Sequence, residues 1–174
     1  MAHSEEIIHF ILTGGTIDSY YNAVNDSIKV LPSSCIPYYI KHLNLYTKVK
    51  YTEVCMKDSR ELTTNELNKI LKAIEKSSCK NIIITHGTYT MTDTARYLKA
   101  NLKRKDQSII FTGSMIPLTG FIPSDAPFNL GFTIAKIQEF GPGIWVSMNG
   151  RIFDPEEVAK VISEGRFVSL FSND

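Results

Sequence analysis

Two short loops of this chain carry the residue types that could do covalent chemistry. Thr16 follows Gly14 and Gly15, and Thr88 follows Gly87. Glycine allows a tight turn and a close approach of the backbone, so a hydroxyl placed beside it is exposed to a ligand. An exposed threonine hydroxyl can serve as a nucleophile once a base accepts its proton. Either loop alone is more often a plain turn, so the prediction depends on what accompanies it.

The second loop also offers main-chain donors. It comes immediately before a segment predicted as a helix, and free N–H groups at a helix start favour an anion or an oxyanion. The glycines match no nucleotide-binding motif: no lysine follows them as in a P-loop, and the Gly-x-Gly-x-x-Gly spacing of dinucleotide-binding folds is absent. The loops therefore do not indicate a nucleotide site.

Strands and helices alternate along the chain in a way that positions these loops. Short apolar runs rich in β-branched residues predict strands over 7–13, 48–56, 81–86, 108–112 and 144–148. The alternation predicts an α/β fold, a three-layer sandwich with an open, mainly parallel sheet of the flavodoxin or Rossmann type. Three of the strands run directly into Thr-Gly-Gly-Thr, His-Gly-Thr and Thr-Gly-Ser loops. Because ligands bind outside the carboxyl ends of such strands, these loops are expected to line one crevice.

The helical segments have recognisable starts. Helices are predicted over 33–45, 63–74, 92–103 and 124–138. Thr63 and Glu66 form a capping-box pattern ahead of one apolar stripe. Asp93 lies near the positive end of the third helix, and Asp125 and Pro127 occupy capping positions of the fourth. These helices would cover both faces of the sheet.

Composition excludes several classes of function. The 174 residues suit one domain, and the formal net charge of +1 leaves no basic surface for nucleic acid. Three cysteines without metal-ligand spacing indicate neither a disulfide framework nor a zinc site. Residues 1–6 lack the features of a signal peptide, and no apolar run is long enough to span a bilayer. We therefore expect no membrane association and a reducing, cytoplasmic location.

Five segments, taken in order, resemble the N-terminal domain of the bacterial-type L-asparaginase family, especially its cytoplasmic, type I branch. The segments are 11–17, 58–59, 86–95, 112–118 with 124–130, and 146–149 leading to Lys160. The first contains Thr-Gly-Gly-Thr-Ile, and the third reads His-Gly-Thr-Tyr-Thr-Met-Thr-Asp-Thr-Ala. The resemblance covers nearly the whole chain and implies one asparaginase N-terminal-type α/β domain over residues 1–174.

The resemblance implies an amidohydrolase that works by acyl transfer. A threonine hydroxyl attacks the side-chain amide of L-asparagine or of a related small amide, ammonia leaves, and water releases the acid. Carried over to this chain, Thr16 is the expected nucleophile and Thr88 the second catalytic threonine. Lys160 is expected to activate Thr88. The family needs neither a metal nor an organic cofactor.

The resemblance also implies a set of substrate-binding residues. They are Asp58, Ser59, Tyr89, Ser114, Gly15 and Gly87. Asp58 and Ser59 match the pair that binds the amino-acid end of the substrate, and the Ser114 loop is expected to face the departing amide. Tyr20 or Tyr21 could match a tyrosine on the lid that follows the first threonine, and the sequence leaves both open.

Each of these positions also has an ordinary structural interpretation. A lysine within Glu-Glu-Val-Ala-Lys-Val-Ile, a segment interpreted as a helix, is usually a solvated surface residue. Asp58 and Ser59 usually form a helix-capping turn. His86 is expected to be a structural donor rather than a base, and Asn129 a hydrogen-bonding residue at a helix start. Only the co-occurrence of these positions favours a catalytic interpretation.

Tyr89 departs from the family pattern, which has an aspartate at that position. The family carboxylate binds the substrate ammonium and orients the lysine, whereas a phenol offers no negative charge at neutral pH. Losing a buried, charge-assisted partner costs about 2–5 kcal/mol, so free asparagine is expected to bind poorly. Asp93, one helical turn further on, is expected to lie too deep to replace that carboxylate, and Asp58 is the better candidate for partial compensation.

The chain stops about where the family continues into a smaller C-terminal domain, which completes a neighbouring subunit's active site. We expect no such domain here, so that wall of the pocket would come from a homodimer of different arrangement, from a separate partner chain, or from neither. Two interpretations stay open. One is a hydrolase of asparagine or of an amide whose amine is blocked or absent. The other is a catalytically silent module that binds a small ligand or a partner protein.

Overall fold

A six-stranded sheet with one antiparallel edge forms the centre of the computed structural model, which describes residues 7–171. The residues on which the signal-peptide interpretation rests lie outside that range. The strands are β1 (Ile8–Gly14), β2 (Ser19–Asn22), β3 (Ser27–Val30), β4 (Val49–Lys57), β5 (Asn81–Thr85), β6 (Ser108–Thr112), β7 (Gly143–Met148), β8 (Arg151–Phe153), β9 (Val158–Val161) and β10 (Arg166–Ser169). The helices are α1 (Ile36–His42), α2 (Thr64–Lys76), α3 (Met91–Asn101) and α4 (Ala126–Lys136).

The strand order explains where a site can form. The sheet runs β4-β1-β5-β6-β7-β8, and only β8 is antiparallel to its neighbour. Its five parallel strands therefore follow the order 2-1-3-4-5 of flavodoxin-like sheets, in which the chain reverses direction across the sheet between the first and third of them. Here that switch point lies between β1 and β5. The predicted α/β fold with a mainly parallel open sheet is confirmed.

Strand β5 shows why these residues form a central strand. All five of its residues are buried, and its isoleucines alternate between the two faces of the sheet as the pleat requires. Ile82 and Ile84 pack in a cluster with α2 and α3, whereas Ile83 packs in a second cluster with α1 and α4. A fully buried strand with three consecutive isoleucines thus separates two helical layers, as expected for a parallel sheet buried on both faces.

Helix boundaries agree with the sequence where a cap is complete. At α2, the Thr63 side chain caps the helix and the Glu66 carboxylate accepts the Thr63 backbone N–H, which confirms the capping box. Helix α1 is shorter than predicted because Cys35 occupies its N-cap and donates its N–H to the Asp18 carboxylate. Asp125 and Pro127 occupy the predicted capping positions of α4, although the Asp125 side chain makes no cap bond there.

Three antiparallel pairs lie outside the predicted strand set. They are the β2–β3 hairpin, the β7–β8 edge and the β9–β10 ribbon. The interpretation of residues 156–162 as a helix is wrong, because this segment pairs as β9 with β10. Burial of Val158 and Phe167 in the α2/α3 core stabilises the ribbon, and such packing overrides local helix propensity.

No helix within residues 7–171 is both long and apolar enough to cross a lipid bilayer.

Candidate active site

The two threonine loops meet at the switch point of the sheet. A Cβ atom on Gly15 would lie 2.4 Å from both the Cα and the N of Gly87, so the two backbones are in direct contact. Gly15 has φ 81° and ψ −171°, a conformation that is essentially restricted to glycine. Thr16 and Thr88 each follow this contact by one residue. The structure therefore brings together the two loops that carry the threonines singled out by the sequence.

A third loop closes on the same point. A Cβ atom on Gly87 would lie 2.7 Å from both Cβ and Oγ of Ser59. The Thr90 side chain donates to the Ser59 carbonyl over 2.9 Å, and the Thr90 N–H donates to Ser59 Oγ over 3.3 Å. Ser59 is buried, so its hydroxyl stabilises the loop before α3 and is not exposed to solvent. Gly15, Gly87 and Ser59 thus form one packed junction.

Lys160 reaches Thr88 across 72 positions of sequence. Its Nζ donates to Thr88 Oγ1 over 2.7 Å, and Thr88 is only 5% exposed. The Thr88 hydroxyl also lies 3.7 Å from the Met115 sulfur. Burial and, secondarily, the nearby Arg60 guanidinium lower the pKa of Lys160 below its ordinary value, against an opposing effect of Asp58. The interpretation of Lys160 as a solvated surface lysine is therefore wrong.

Helix α3 fixes the segment that leads to Lys160. Arg96 donates to the Pro155 carbonyl from Nε over 2.8 Å and to the Val158 carbonyl from Nη2 over 3.2 Å. Lys99 forms an ion pair with Asp154 at 2.7 Å. Because α3 also follows the Thr88 loop, one helix holds both members of the Thr88–Lys160 pair.

Thr16 stands in a different environment. It is half-buried at the start of a single 3-10 turn and, within residues 7–171, its hydroxyl has no hydrogen-bond partner. It lines an open cleft of about 1200 Å³, which we call the Thr16 cleft. The other lining residues are Ser19, Ile28, Lys29, Val30, Met56, Lys57, Asp58, Arg60, Glu61, Met115, Ile116, Pro117, Phe121, Ile122 and Pro123. Thr88 and Lys160 do not line it, so a ligand in the cleft meets Thr16 first.

Asp58 is held by a residue that the sequence did not single out. Its carboxylate accepts the Arg60 backbone N–H at 2.9 Å, Nε at 3.0 Å and Nη2 at 2.9 Å. The Arg60 guanidinium holds the pKa of Asp58 below its usual range. On its other side, Arg60 lies 5.3 Å from the centroid of the Tyr89 ring, and Tyr89 is 56% exposed. The capping-turn interpretation of Asp58 is confirmed, and its carboxylate is already paired.

The loop after β6 reaches the cleft through its neighbours rather than through Ser114. The Ser114 hydroxyl is buried and donates to the Ile116 carbonyl. The backbone N–H groups of Met115 and Ile116 donate to the Asp125 carboxylate over 2.9 Å each. Asn129 donates to the same carboxylate and to the Gly113 carbonyl over 3.0 Å. Asp125 therefore occupies the N-cap position of α4, while its carboxylate shapes this wall of the cleft.

Three further expectations can be compared with the structure. The buried His86 ring bonds the Gly87 carbonyl through Nδ1, and burial lowers its pKa to about 4, so it is structural as expected. Asp93 does not lie too deep, because its side chain is 69% exposed and faces Arg96. Neither Tyr20 nor Tyr21 lines the cleft, although their hairpin does through 28–30. The structure therefore leaves the choice of a lid tyrosine open.

Residues 7–171 contain no group of three or more His, Cys, Asp or Glu side chains that could hold a metal ion.

The sequence did not indicate the roles of four residues at the site: Arg60, Met115, Arg96 and Asp125. Arg60 alone carried a local signal, because it lies two residues after Asp58, the spacing at which an aspartate bonds a following N–H. The other three act across long separations in sequence.

Comparison with known proteins agrees with this geometry. Residues 7–169 match the family model described as asparaginase, N-terminal. The chain is 29% identical over 164 residues to a glutaminase-asparaginase of Acinetobacter glutaminasificans, covering 88% of this chain and 49% of that protein. It is 30% identical over 166 residues to L-asparaginase 2 of Escherichia coli, covering 88% and 46%.

A solved structure gives the same result. The thermostable L-asparaginase from Thermococcus kodakarensis superposes with a TM-score of 0.81 at 27% identity, covering 94% of this chain and 51% of that one. The chain thus spans about half the length of the relatives it matches. Because the family model covers almost every residue that the structure describes, this chain belongs to the asparaginase family through its N-terminal domain.

Proposed function

We propose that the protein is an asparaginase-type amidohydrolase, which hydrolyses the side-chain amide of L-asparagine or of a related small amide. The observation that carries the proposal is the partly buried bond from Lys160 Nζ to Thr88 Oγ1, beside the junction of the two threonine loops. A lysine with a lowered pKa against a hydroxyl is a recognised arrangement for moving a proton at neutral pH. Thr16 supplies a hydroxyl on the cleft side of the same junction.

Thr16 is the proposed nucleophile because of access. Its hydroxyl lines the Thr16 cleft, whereas Thr88 is almost fully buried and its hydroxyl already bonds Lys160. In the first step, Thr16 Oγ attacks the amide carbon, a C–O bond forms, the C–N bond breaks, and ammonia leaves with the proton that Thr16 lost. Water then attacks the ester carbon, releases the carboxylic acid and restores the Thr16 hydroxyl.

The Thr88–Lys160 pair is the proposed route for the proton. A neutral Lys160 amine accepts a proton that passes through the Thr88 hydroxyl, and returns it to the departing nitrogen. Because burial and Arg60 lower the pKa of Lys160, the neutral amine is present at lower pH than for a free lysine. The rate of hydrolysis should therefore rise with pH through the pKa of Lys160 and then level off.

The loop before α3 is the proposed donor to the developing oxyanion. The backbone N–H groups of Thr88 and Tyr89 make no hydrogen bond within residues 7–171, and they precede the positive end of an 11-residue helix. Gly15 and Gly87 allow the backbone to approach the substrate closely. Asp58, Ser59 and the Ser114 loop shape the surrounding pocket.

The test is ammonia release from L-asparagine, L-glutamine and N-acetyl-asparagine. Thr16→Ala should abolish turnover of whichever amide is accepted, while Thr64→Ala, at the exposed start of α2, should leave it unchanged. Lys160→Met and Lys160→Arg should each slow turnover by about a hundredfold or more, because neither side chain provides a neutral amine.

Two outcomes would count against the proposal. Full turnover by Thr16→Ala would remove Thr16 as the nucleophile. Silence of the unaltered protein on all three amides, together with retained binding of a small ligand, would favour the catalytically silent module.

We also propose a homodimer in the cytoplasm. Ile122 is fully exposed and Phe128 is 59% exposed, and large apolar side chains in such positions are often covered by a second subunit. The thiols of Cys35, Cys55 and Cys79 are all free, which suits a reducing compartment. Light scattering after gel filtration measures the mass directly, and a monomer at micromolar concentration would contradict the dimer.

A further inference from the structure

Arg60 lines the Thr16 cleft, and the mechanism above gives it no contact with the substrate. Its side chain is 62% exposed, and it is held on two sides. Asp58 accepts Nε and Nη2, while the Tyr89 ring lies 5.3 Å from the guanidinium carbon. A guanidinium fixed by a carboxylate and an aromatic face is a pre-organised donor rather than a mobile surface charge.

Arg60 still has donors to offer. Within residues 7–171, Nη1 has no acceptor, since all three bonds to Asp58 come from the backbone N–H, Nε and Nη2. The Asp58 carboxylate occupies the edge of the guanidinium group that carries Nε. A second carboxylate can therefore be bound by the same guanidinium without displacing Asp58.

A substrate ammonium meets cations beside both carboxylates of this cleft, Asp58 and Glu61. Asp58 is fully engaged by Arg60. Glu61 forms no ion pair within residues 7–171, but it lies close enough to Lys57 and Arg60 to raise the pKa of both. To bind an ammonium at Asp58, the site would have to break the Asp58–Arg60 pair. Replacing one cation by another at a paired carboxylate offers little net gain in free energy.

Lys160 lies behind the cleft and is coupled electrostatically to both Arg60 and Asp58. It has no ion-pair partner within the described part of the chain. Because Lys160 does not line the cleft and is needed as a neutral amine, Arg60 is the cation that a ligand carboxylate would meet. The neutral Tyr89 ring contributes bulk and a cation-binding face, but no compensating charge.

We propose that Arg60, seated on Tyr89, determines specificity by binding a substrate carboxylate, so that the protein acts on the monoamides of dicarboxylic acids that lack a charged α-amine. This inference rests on the proposed amide hydrolysis and names its substrate class. Succinamate, the monoamide of a four-carbon dicarboxylic acid, is the simplest member, and its hydrolysis gives succinate and ammonia. L-Asparagine has the same length but carries the ammonium that the cleft does not accommodate.

Equilibrium binding tests the inference without any turnover. Calorimetry should show that succinate binds at least about tenfold more tightly than L-aspartate to the unaltered protein. Arg60→Gln should weaken succinate binding by about tenfold or more, and Tyr89→Phe should leave it nearly unchanged because the ring is kept. Arg166→Gln, which removes an exposed arginine paired with Glu164, is the matched control and should change nothing.

A negative charge in place of the Tyr89 ring provides the opposite variant. Tyr89→Asp places a second carboxylate against Arg60 and should shift the preference towards L-aspartate. Tighter binding of L-aspartate than of succinate, no measurable binding of either acid, or unchanged succinate binding in Arg60→Gln would each overturn the inference.

Rates of ammonia release separate the two proposals. Faster release from succinamate than from L-asparagine supports both of them. Preferred turnover of L-asparagine overturns the specificity but leaves the hydrolase intact. Selective succinate binding, with no ammonia from either amide, supports the role of Arg60 and contradicts the hydrolase.

Discussion

The two sides of the candidate site are built in different ways. The closed side comprises Ser59, Gly87, Thr88 and Lys160, where backbones touch and the buried Thr88 accepts a hydrogen bond from the half-buried Lys160. The open side comprises Thr16, the β2–β3 hairpin and the 115–123 loop, which border the Thr16 cleft. The closed side therefore fixes the contact between Thr88 and Lys160, while the open side leaves room for a ligand. The division matches the general tendency of catalytic groups to lie on rigid elements and of ligand access to depend on loops.

The largest effect should come from breaking the contact on which the closed side depends. Gly15→Ala would place a Cβ 2.4 Å from the Gly87 backbone and force alanine into a glycine-only conformation. We expect a loss of about 3 kcal/mol or more in the free energy of unfolding. Gly120→Ala, on the open side, also has a positive φ of 79° but nothing within 4 Å of the new Cβ, and should lose about 1 kcal/mol.

Urea unfolding of both variants measures this difference. Equal losses would mean that backbone strain alone, rather than the contact between the two loops, limits substitution at Gly15.

The second effect tests the attachment of the Lys160 segment to α3. Arg96→Ala removes two charged-donor bonds to the Pro155 and Val158 carbonyls, and should lower the free energy of unfolding by about 2 kcal/mol. Arg166→Ala, on the adjoining ribbon, breaks only an exposed pair with Glu164 and should lose at most about 1 kcal/mol. Faster hydrogen exchange over 158–161 in Arg96→Ala alone would locate the effect. Unchanged exchange there would contradict the role given to Arg96.

Sequence reasoning succeeded where local pattern and tertiary structure agree. The isoleucine run of β5 and the glycines after β1 specify a central strand and a tight turn, so the α/β fold and the meeting of the threonine loops could be predicted. The capping box of α2 is equally local. Each of these features is determined by neighbours within a few residues, which is the range over which sequence patterns are informative.

The failures share one physical cause, which is contact across long separations in sequence. The segment around Lys160 has good helix formers, but its pairing with β10 and the burial of Val158 make it a strand. The stacking of Arg60 on Tyr89 joins positions 29 apart in sequence, and no local spacing predicts this contact. Asp125 likewise serves a loop ten residues upstream. The roles of Thr16, Thr88 and Lys160 in catalysis remain predictions.

Acidification should lower the free energy of unfolding through two buried imidazoles, which lie at opposite ends of the central sheet. Burial lowers the pKa of His86, at the closed side, and of His9, between Ser77 and Thr52, to about 4 each. Both rings are neutral in the folded protein and become protonated on unfolding, so the stability present above pH 6.5 is lost as the pH falls towards 4. Each should contribute about 1 kcal/mol per pH unit between pH 6 and 5.

Chemical denaturation at successive pH values tests this expectation. His86→Asn and His9→Asn should each reduce the slope of stability against pH by that amount. An unchanged slope in either variant would mean that the imidazole concerned is already accessible to protons in the folded state.

The smallest effect compares one hydroxyl from each side. Thr90→Val removes the bond to the Ser59 carbonyl inside the packed junction, and should lower the free energy of unfolding by about 1 kcal/mol, because the carbonyl then keeps only the longer 3.3 Å bond from the Leu62 N–H. Tyr21→Phe removes the bond between the Tyr21 hydroxyl and the Asp26 carboxylate on the exposed hairpin. Water replaces that bond at once, so the urea midpoint should not move. If Tyr21→Phe proved as destabilising as Thr90→Val, the hairpin would be as firmly ordered as the junction, and the two sides would not differ in the way their packing indicates.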